Sequence, residues 1–393
     1  MLTLPLRRRY RTVVLDRASF AVLTILDGLA TNRQLTRALR QAWQYSCTVP
    51  GDNKEVNIPH DDGLPFVEEG VRLLLVLRRS NGDPPYVPVF AGELLTVQDR
   101  VDGDTPYADL VAYDPRQSLY TRPVYNADGN FPAAAGISYT GTVGSTIAAQ
   151  LLARTIDADG GCYIDAGPDY GGTAFWGGTI EDTAPLNIDF QQGAMVGDAW
   201  DELEQTGSLD IILTPIYDPI NRPGYLAELS IYTQAGSQRN DAIFSWDKFP
   251  RNLAGIGRLK DGTKRANSVA MFTSDGDIAE IASDSDSITA YGVSWATQTW
   301  PGQTLTDAVT ALAALQLLLR KNGQETVTLQ PAAEAGVDPI DDYQEGDELP
   351  VYASKRLRKP LAGLQRVWGM TIAPTDDDVE TVTGMLVSAD GTT

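Results

Sequence analysis

Two distant stretches of this chain carry the same succession of turns and strands, and that echo limits the fold more than any other feature. Glu68-Glu69-Gly70 is followed by a strand, a turn, Phe90-Ala91-Gly92, a second strand, a hairpin and Leu110-Val111-Ala112-Tyr113-Asp114. Gln344-Glu345-Gly346 is followed by a strand, a turn, Val367-Trp368-Gly369, a second strand, Thr375-Asp376-Asp377-Asp378 and Leu386-Val387-Ser388-Ala389-Asp390. The glycine-to-glycine gaps are 22 and 23 residues, and the gaps from there to the closing aspartate are 22 and 21. Upstream, Cys47-Thr48-Val49-Pro50 stands where Leu329-Gln330-Pro331 stands in the second copy. Antiparallel meanders can mimic one another, so coincidence is the competing explanation. Taken as a repeat, the echo gives two related β-barrel-like domains.

The rest of the chain fits around that repeat. Residues 1–125 form the first barrel-like domain. Trp43, Tyr45, Cys47 and Val49 alternate with polar residues, as in a strand with one buried face. Val71 to Arg79, Val87 to Gln98 and Tyr107 to Tyr113 read as strands, with Asp102-Gly103-Asp104 as a hairpin turn. Arg33 to Gln41 reads as a short helix, on Leu35 and Leu39 at i,i+4.

Residues 126–250 form an α+β insertion. Val143, Ile147, Leu151, Leu152 and Ile156 make a helical stripe, ended by Gly160-Gly161. A second helix spans 196–205, and a hairpin spans 209–233. Residues 251–393 form the second barrel-like domain. There, strands are expected at 265–273 and 287–297, and an amphipathic helix at 304–322 carries Leu305, Ala308, Val309, Leu312, Leu315 and Leu319 on one face. Strands near 325–329, 348–353, 365–373 and 380–388 close the chain. The fold class is therefore mainly β with an α+β insertion.

Composition removes most chemistry. The 393 residues contain one histidine, His60, so paired-histidine metal and catalytic sites are excluded. Cys47 and Cys162 lie far apart and make no disulfide framework or zinc ribbon. No apolar run approaches the roughly 18 residues of a membrane span, and no signal-peptide core follows Arg7-Arg8-Arg9, which reads as a solvated arm. With 52 acidic and 31 basic residues the net charge is −21, the wrong sign for a protein that neutralises phosphates.

Three motif look-alikes fail on detail. Gly257 to Lys264 ends Gly-Thr-Lys rather than Gly-Lys-Thr, and reads as a turn. Gly292-Val293-Ser294-Trp295-Ala296 lacks the last glycine of a nucleophile elbow. Asp275-Gly276-Asp277 and Asp284-Ser285-Asp286 lack the spacing of a calcium loop. No catalytic, cofactor-binding or metal-binding residue is expected. Tyr170, Phe175 and Trp176, in a glycine-rich loop, suit a sugar platform, a buried anchor or an interface equally. They keep open a second reading, a tail-associated or secreted carbohydrate-active hydrolase.

The order strand-rich domain, helix-and-hairpin domain, strand-rich domain resembles the central tail-tip or baseplate hub of long-tailed bacteriophages. Phe90-Ala91-Gly92 after an acidic-Gly turn carries part of the resemblance. So do Gly197-Asp198-Ala199-Trp200-Asp201-Glu202-Leu203 running into Thr206-Gly207, and Tyr343-Gln344-Glu345-Gly346-Asp347 with Arg366-Val367-Trp368-Gly369. It covers nearly the whole chain without an invariant signature.

The resemblance implies a homotrimer whose two tube-like barrels per chain form a pseudo-sixfold ring. Its implied partners are distal tail or tail-tube proteins, a tape measure protein, and threefold tip or fibre proteins. DNA would touch it only in transit, with no stable membrane association, and the place would be the virion tail tip after assembly in the host cytoplasm. Many such hubs carry an extra C-terminal fibre-binding or wall-degrading module; this chain is expected to be a minimal hub without one. Acids in the strands after Gly70 and Gly346 are expected to face the channel and repel phosphates.

Overall fold

The computed structural model describes residues 9–388 apart from 58, 60–61, 80–84, 133–135, 160–161, 166–177, 184, 207–208, 264, 273–276, 300–309, 311–312, 315, 318–319, 322–323, 333–335, 356 and 376–378. The chain opens with β1 (Arg9–Asp16), β2 (Val22–Ile25), β3 (Thr31–Ala38) and β4 (Gln44–Pro50). One helical turn, α1 (Lys54–Asn57), precedes the meander β5 (Arg72–Arg79), β6 (Val87–Asp102) and β7 (Thr105–Tyr113). The middle segment holds α2 (Arg116–Leu119), β8 (Ile137–Val143), α3 (Gly144–Asp159) and β9 (Ile164–Asp165). It continues with β10 (Pro185–Phe190), α4 (Val196–Thr206), β11 (Asp210–Pro215) and β12 (Ala227–Tyr232). Next come β13 (Phe244–Ser245), β14 (Leu253–Asp261), β15 (Ser268–Phe272), β16 (Ile278–Ser283), α5 (Ser285–Tyr291) and β17 (Trp295–Thr299). The chain finishes with β18 (Gln324–Pro331) and a second meander, β19 (Glu348–Ala353), β20 (Leu361–Pro374) and β21 (Glu380–Ser388).

The two halves have one connectivity. In the first, hydrogen-bonded neighbours run β3-β4-β7-β6-β5; in the second they run β14-β18-β21-β20-β19. Both glycines that open the echo turn the chain at positive φ, +73° at Gly70 and +95° at Gly346. Their amides donate to equivalent carbonyls, Leu94 and Val367, each at 2.8 Å. The second glycines are not equivalent. Bulges fall between Leu94 and Thr96 on β6 and between Val367 and Gly369 on β20, so Thr96, not Gly92, occupies the place of Gly369. The sequence alignment was thus out of step inside the meander. Its upstream part is in step: Cys47 faces Leu110 as Leu329 faces Gly384.

Neither half closes into a barrel among the described residues, which corrects the expectation of two barrels per chain. β19 covers the edge of β20 only as far as Arg366, and from Gly369 onward β3 of the other half takes that edge. The halves therefore join into one 13-stranded sheet. One apolar cluster fills it, with Tyr45, Leu74 and Phe90 from the first half and Phe244, Val351 and Val367 from the second. Burial of this kind contributes roughly 1.5–3 kcal/mol per large apolar side chain.

The middle segment has its own core. α3 buries Ile147, Leu151 and Leu152, as the stripe predicted, and α4 buries Ala199, Trp200 and Leu203 against it. The Trp200 indole donates to the Ala148 carbonyl at 3.1 Å, so its polar edge is satisfied inside the core. Thr183 Oγ1 accepts from the Ser145 amide at 2.9 Å and caps α3 from outside the helix. The expected hairpin is β11–β12.

Three local expectations fail. The helix expected over Arg33 to Gln41 is instead the strand β3 as far as Ala38 followed by a turn, because Arg33, Leu35 and Arg37 are buried alternately while Asn32 and Gln34 are exposed. Residues 285–291 are the helix α5, not the start of a strand. Asp284 accepts from the Ser287 amide at 2.8 Å and caps it, and Gly292 ends it, so the acidic stretch is a capping device. Gly257 to Asp261 lies in β14 and only the following residues turn. Of the helix expected at 304–322, the described residues 310, 313, 314, 316, 317 and 320 are helical, and the rest lie outside the described residues. So do Gly160-Gly161, Arg7 and Arg8.

Candidate functional site

Ionisable clusters come first, because chemistry would need them. Arg78 is fully buried and meets the carboxylates of Asp338, Asp341 (3.2 Å) and Glu380 (2.8 Å), with Tyr10 donating to Glu380 at 2.7 Å. This group ties β5 to β21, one half to the other. Buried Arg116 ties α2 to α4 through Asp201 (2.8 Å) and Glu204. Arg40 and Arg366 both reach Asp210 on β11. Each arginine holds two elements together, a structural use of buried charge.

A cleft of about 290 Å³ opens beside β3 and the β11–β12 hairpin, lined by Arg37, Trp43, Tyr232, Arg239, Glu345 and Asp347. Two ion pairs stand in it, Arg37 with Glu345 at 2.8 Å and Arg239 with Asp347 at 3.2 Å. There the Ser237 hydroxyl donates to Asp347 at 3.4 Å, and the same carboxylate is engaged by Arg239. Burial pushes the Asp114 carboxyl up to about 7, and burial likewise pushes Glu202 up to about 7. The two stand on different elements, and Asp114 receives the Arg116 amide at 3.1 Å at the start of α2. Burial pushes the Cys47 thiol up to about 12, so it stays protonated.

No group of three metal-ligating side chains occurs among the described residues. His60, Tyr170, Phe175, Trp176, Asp275 and Gly276 lie outside them. Of the acids expected in the strands after Gly70 and Gly346, β5 carries none, Asp347 just before β19 is fully buried against Arg239, and Glu348 at the start of β19 is half-buried and accepts from the Gln234 side-chain amide at 3.0 Å.

What remains open is backbone. β6 runs for 16 residues, and β5 leaves its edge at Glu93. From Leu95 to Asp102 that edge has no strand partner among the described residues, and most of its side chains are exposed. Among the described residues β14 is paired only to β18, so its outer edge is open there too. Leu95, Val101 and Leu259 are exposed along these two edges. Long unpaired edges of this kind invite another strand.

The edges correspond to a seam the chain already contains. β20 meets β3 antiparallel with Gly369 opposite Ala38, Met370 opposite Arg37, Thr371 opposite Thr36 and Ile372 opposite Leu35. The Thr36 and Thr371 hydroxyls lie 3.3 Å apart across it, and the Leu39 amide continues it to the Trp368 carbonyl at 2.9 Å. By the shared ladder registers, Thr96, Val97, Gln98 and Asp99 occupy the places of Gly369 to Ile372. Arg258, Leu259, Lys260 and Asp261 occupy the places of Leu35 to Ala38. Each half thus presents the edge that the other half completes.

Reading the sequence alone missed both edges. The length of β6 was hidden because its last residues are charged, and β14, rich in glycine, has no clean alternation.

No protein-family model matches the chain, and no curated protein matches it. Solved structures do. The 43 kDa tail protein of prophage MuSo2 from Shewanella oneidensis superposes with a TM-score of 0.60 at 11% identity, over 97% of this chain and 99% of that one. A tail protein from Neisseria meningitidis MC58 gives 0.58 at 12%, over 97% of each chain. Prophage tail protein gp18 from Listeria monocytogenes EGD-e gives 0.52 at 9%, over 96% and 94%. At such identities the likeness establishes a shared fold over the full length of the chain.

Proposed function

We propose that a chain with the fold of these phage tail proteins is a structural hub of a bacteriophage tail tip or baseplate, working as a homotrimer. The observation that carries the reading is the pair of open edges. Joining β6 of one protomer to β14 of the next repeats the internal β20–β3 seam. Four strands from each half, eight per chain and twenty-four per trimer then close one cylinder with no open edge. Barrel closure belongs to the assembly rather than to the chain. Six near-equivalent halves around one axis suit a hexameric tube or distal tail protein on one side. Three chains suit a threefold tip or fibre on the other. The cylinder would surround a tape measure protein and then passing DNA, and the net charge of −21 disfavours phosphate adhesion. The hub is a non-catalytic part of the virion.

The shared register names the contacts. Thr96 falls opposite Asp261 of the next protomer, Val97 opposite Lys260, Gln98 opposite Leu259 and Asp99 opposite Arg258. Directly opposed residues stand about 4.5–5.5 Å apart, within disulfide reach. Gln98→Cys with Leu259→Cys should give covalent dimers and trimers on mild oxidation, read on a non-reducing gel. Cys47 and Cys162 are buried and do not compete. Gln98→Cys with Gly257→Cys, two positions out of step, should not. A cross-link in the second pair only, or a monomer in sedimentation, would refute the ring.

A further inference from the structure

We infer that the loop before β14 is a basic latch that grips the acidic β6–β7 turn of the neighbouring protomer. The inference rests on the ring proposed above and adds a contact that strand pairing does not require.

The loop is Lys248-Phe249-Pro250-Arg251, between β13 and β14. Phe249 is 95% exposed, which is unusual for a large aromatic side chain. Lys248 and Arg251 beside it are exposed and make no ion pair among the described residues. The loop is nevertheless fixed. Asn252 is buried, its Oδ1 accepts from the Ser245 amide at 2.9 Å, and its Nδ2 donates to the Ile243 carbonyl at 2.7 Å. The Lys248 amide donates to Ser245 Oγ at 3.1 Å, and the Arg251 amide to the Lys248 carbonyl at 2.8 Å. Asp247 binds the Ser354 amide at 2.9 Å, which brings the exposed cations of the β19–β20 turn, Lys355, Arg358 and Lys359, to the same region. In a chain of net charge −21, this positive, aromatic-tipped knob is a local exception.

The occupant follows from register. With Asp99 opposite Arg258, Val101 falls opposite Ile256 and Asp102 opposite Gly255. The turn Asp102-Gly103-Asp104 then reaches the start of β14, where the loop delivers Lys248, Phe249 and Arg251. That turn is the chemical complement. Asp102 and Asp104 are exposed without an ion pair among the described residues, and Val101 is 70% exposed. Two carboxylates and an aliphatic side chain would meet two cations and an aromatic one. The internal seam has a counterpart: the Arg33 guanidinium on β3 donates to the Thr375 carbonyl in the β20–β21 turn at 2.8 Å. A second copy of this chain fits better than duplex DNA, which would leave Phe249 in water.

The test uses the full chain. Lys248→Glu with Arg251→Glu should raise the concentration at which trimers dissociate in sedimentation on the order of tenfold, more in low salt than in high. Adding Asp102→Lys and Asp104→Lys to the same chain should restore assembly, a reciprocal rescue that a folding defect would not give. Phe249→Ala should weaken assembly in a salt-independent way. If the reversal leaves dissociation unchanged while the 98–259 cross-link still forms, the latch is wrong and the ring stands. If that cross-link is absent in the parent protein, the ring itself fails. A reversed variant that the swap does not rescue also overturns the latch.

Discussion

Asp114 stands where the first meander ends, 5% exposed, with its amide bound to the Trp43 carbonyl and its carboxylate receiving the Arg116 amide. Burial pushes its pKa from the ordinary 3.8 up to about 7, against the lowering effect of those hydrogen bonds and of Arg116. Between those values the folded chain holds a proton that the unfolded chain has lost. Asp114 therefore stabilises the fold least where it is ionised in both states: stability is fully present below pH 4 and declines as pH rises through about 7. Asp114→Asn keeps an acceptor for the Arg116 amide and removes the charge. Its stability relative to the parent should rise from pH 4 to pH 8, by about 1–3 kcal/mol in urea denaturation. A difference independent of pH would show that Asp114 is ionised throughout. Arg78 differs in that its protonated form is the charged one: burial works against it, but hydrogen bonding to Glu380 and the neighbouring Tyr10 and Asp338 hold its pKa above the ordinary guanidinium value.

At the scale of elements, the seam between β20 and β3 depends on close approach. A Cβ on Gly369 would lie 2.8 Å from the Ala38 Cβ and 2.8 Å from the Arg37 carbonyl oxygen, too near for any side chain. Gly369→Val should cost about 1–3 kcal/mol and speed hydrogen exchange of the Leu39 amide, which extends the seam. Thr96→Val, at the equivalent place on the open edge of β6, should leave the stability of the isolated chain unchanged. Equal losses in both would argue against the equivalence. The same elements explain how much was legible. The two meanders, α3, α4 and the β11–β12 hairpin follow from apolar period and turn residues, and they sit where those signals put them. β3 did not, because Leu35 and Leu39 mimic a helical pair while the buried face of the strand sets Leu35 between two arginines, Arg33 and Arg37. A buried arginine is legible only once its carboxylates, hundreds of residues away, are known. The open edges were illegible for a related reason: an edge strand is defined by a missing neighbour, which leaves no mark on its own residues.

At the scale of the whole molecule, assembly and stability should be coupled. If three chains close the cylinder, the folded state is favoured by mass action, and each tenfold rise in concentration adds roughly 0.9 kcal/mol per protomer. The melting temperature should then climb with protein concentration in calorimetry. It should stop doing so in the Lys248→Glu, Arg251→Glu variant at concentrations where the parent is still trimeric. A concentration-independent transition in the parent would mean that the open edges do not find one another.

The internal seam and the open one differ in kind, and the difference has a mechanical sense. On β3 the seam is backed by Arg33, Leu35 and Arg37, all nearly or fully buried, and by a continuous peptide chain. On β14 the residues that take the places of Leu35 and Arg37 are Arg258, half-buried, and Lys260, exposed. A ring built this way alternates three strong joints with three weak ones. Under radial load it would part at the weak joints, 120° apart, like an iris with three leaves. Its bore could widen in a single threefold motion while every leaf stayed folded.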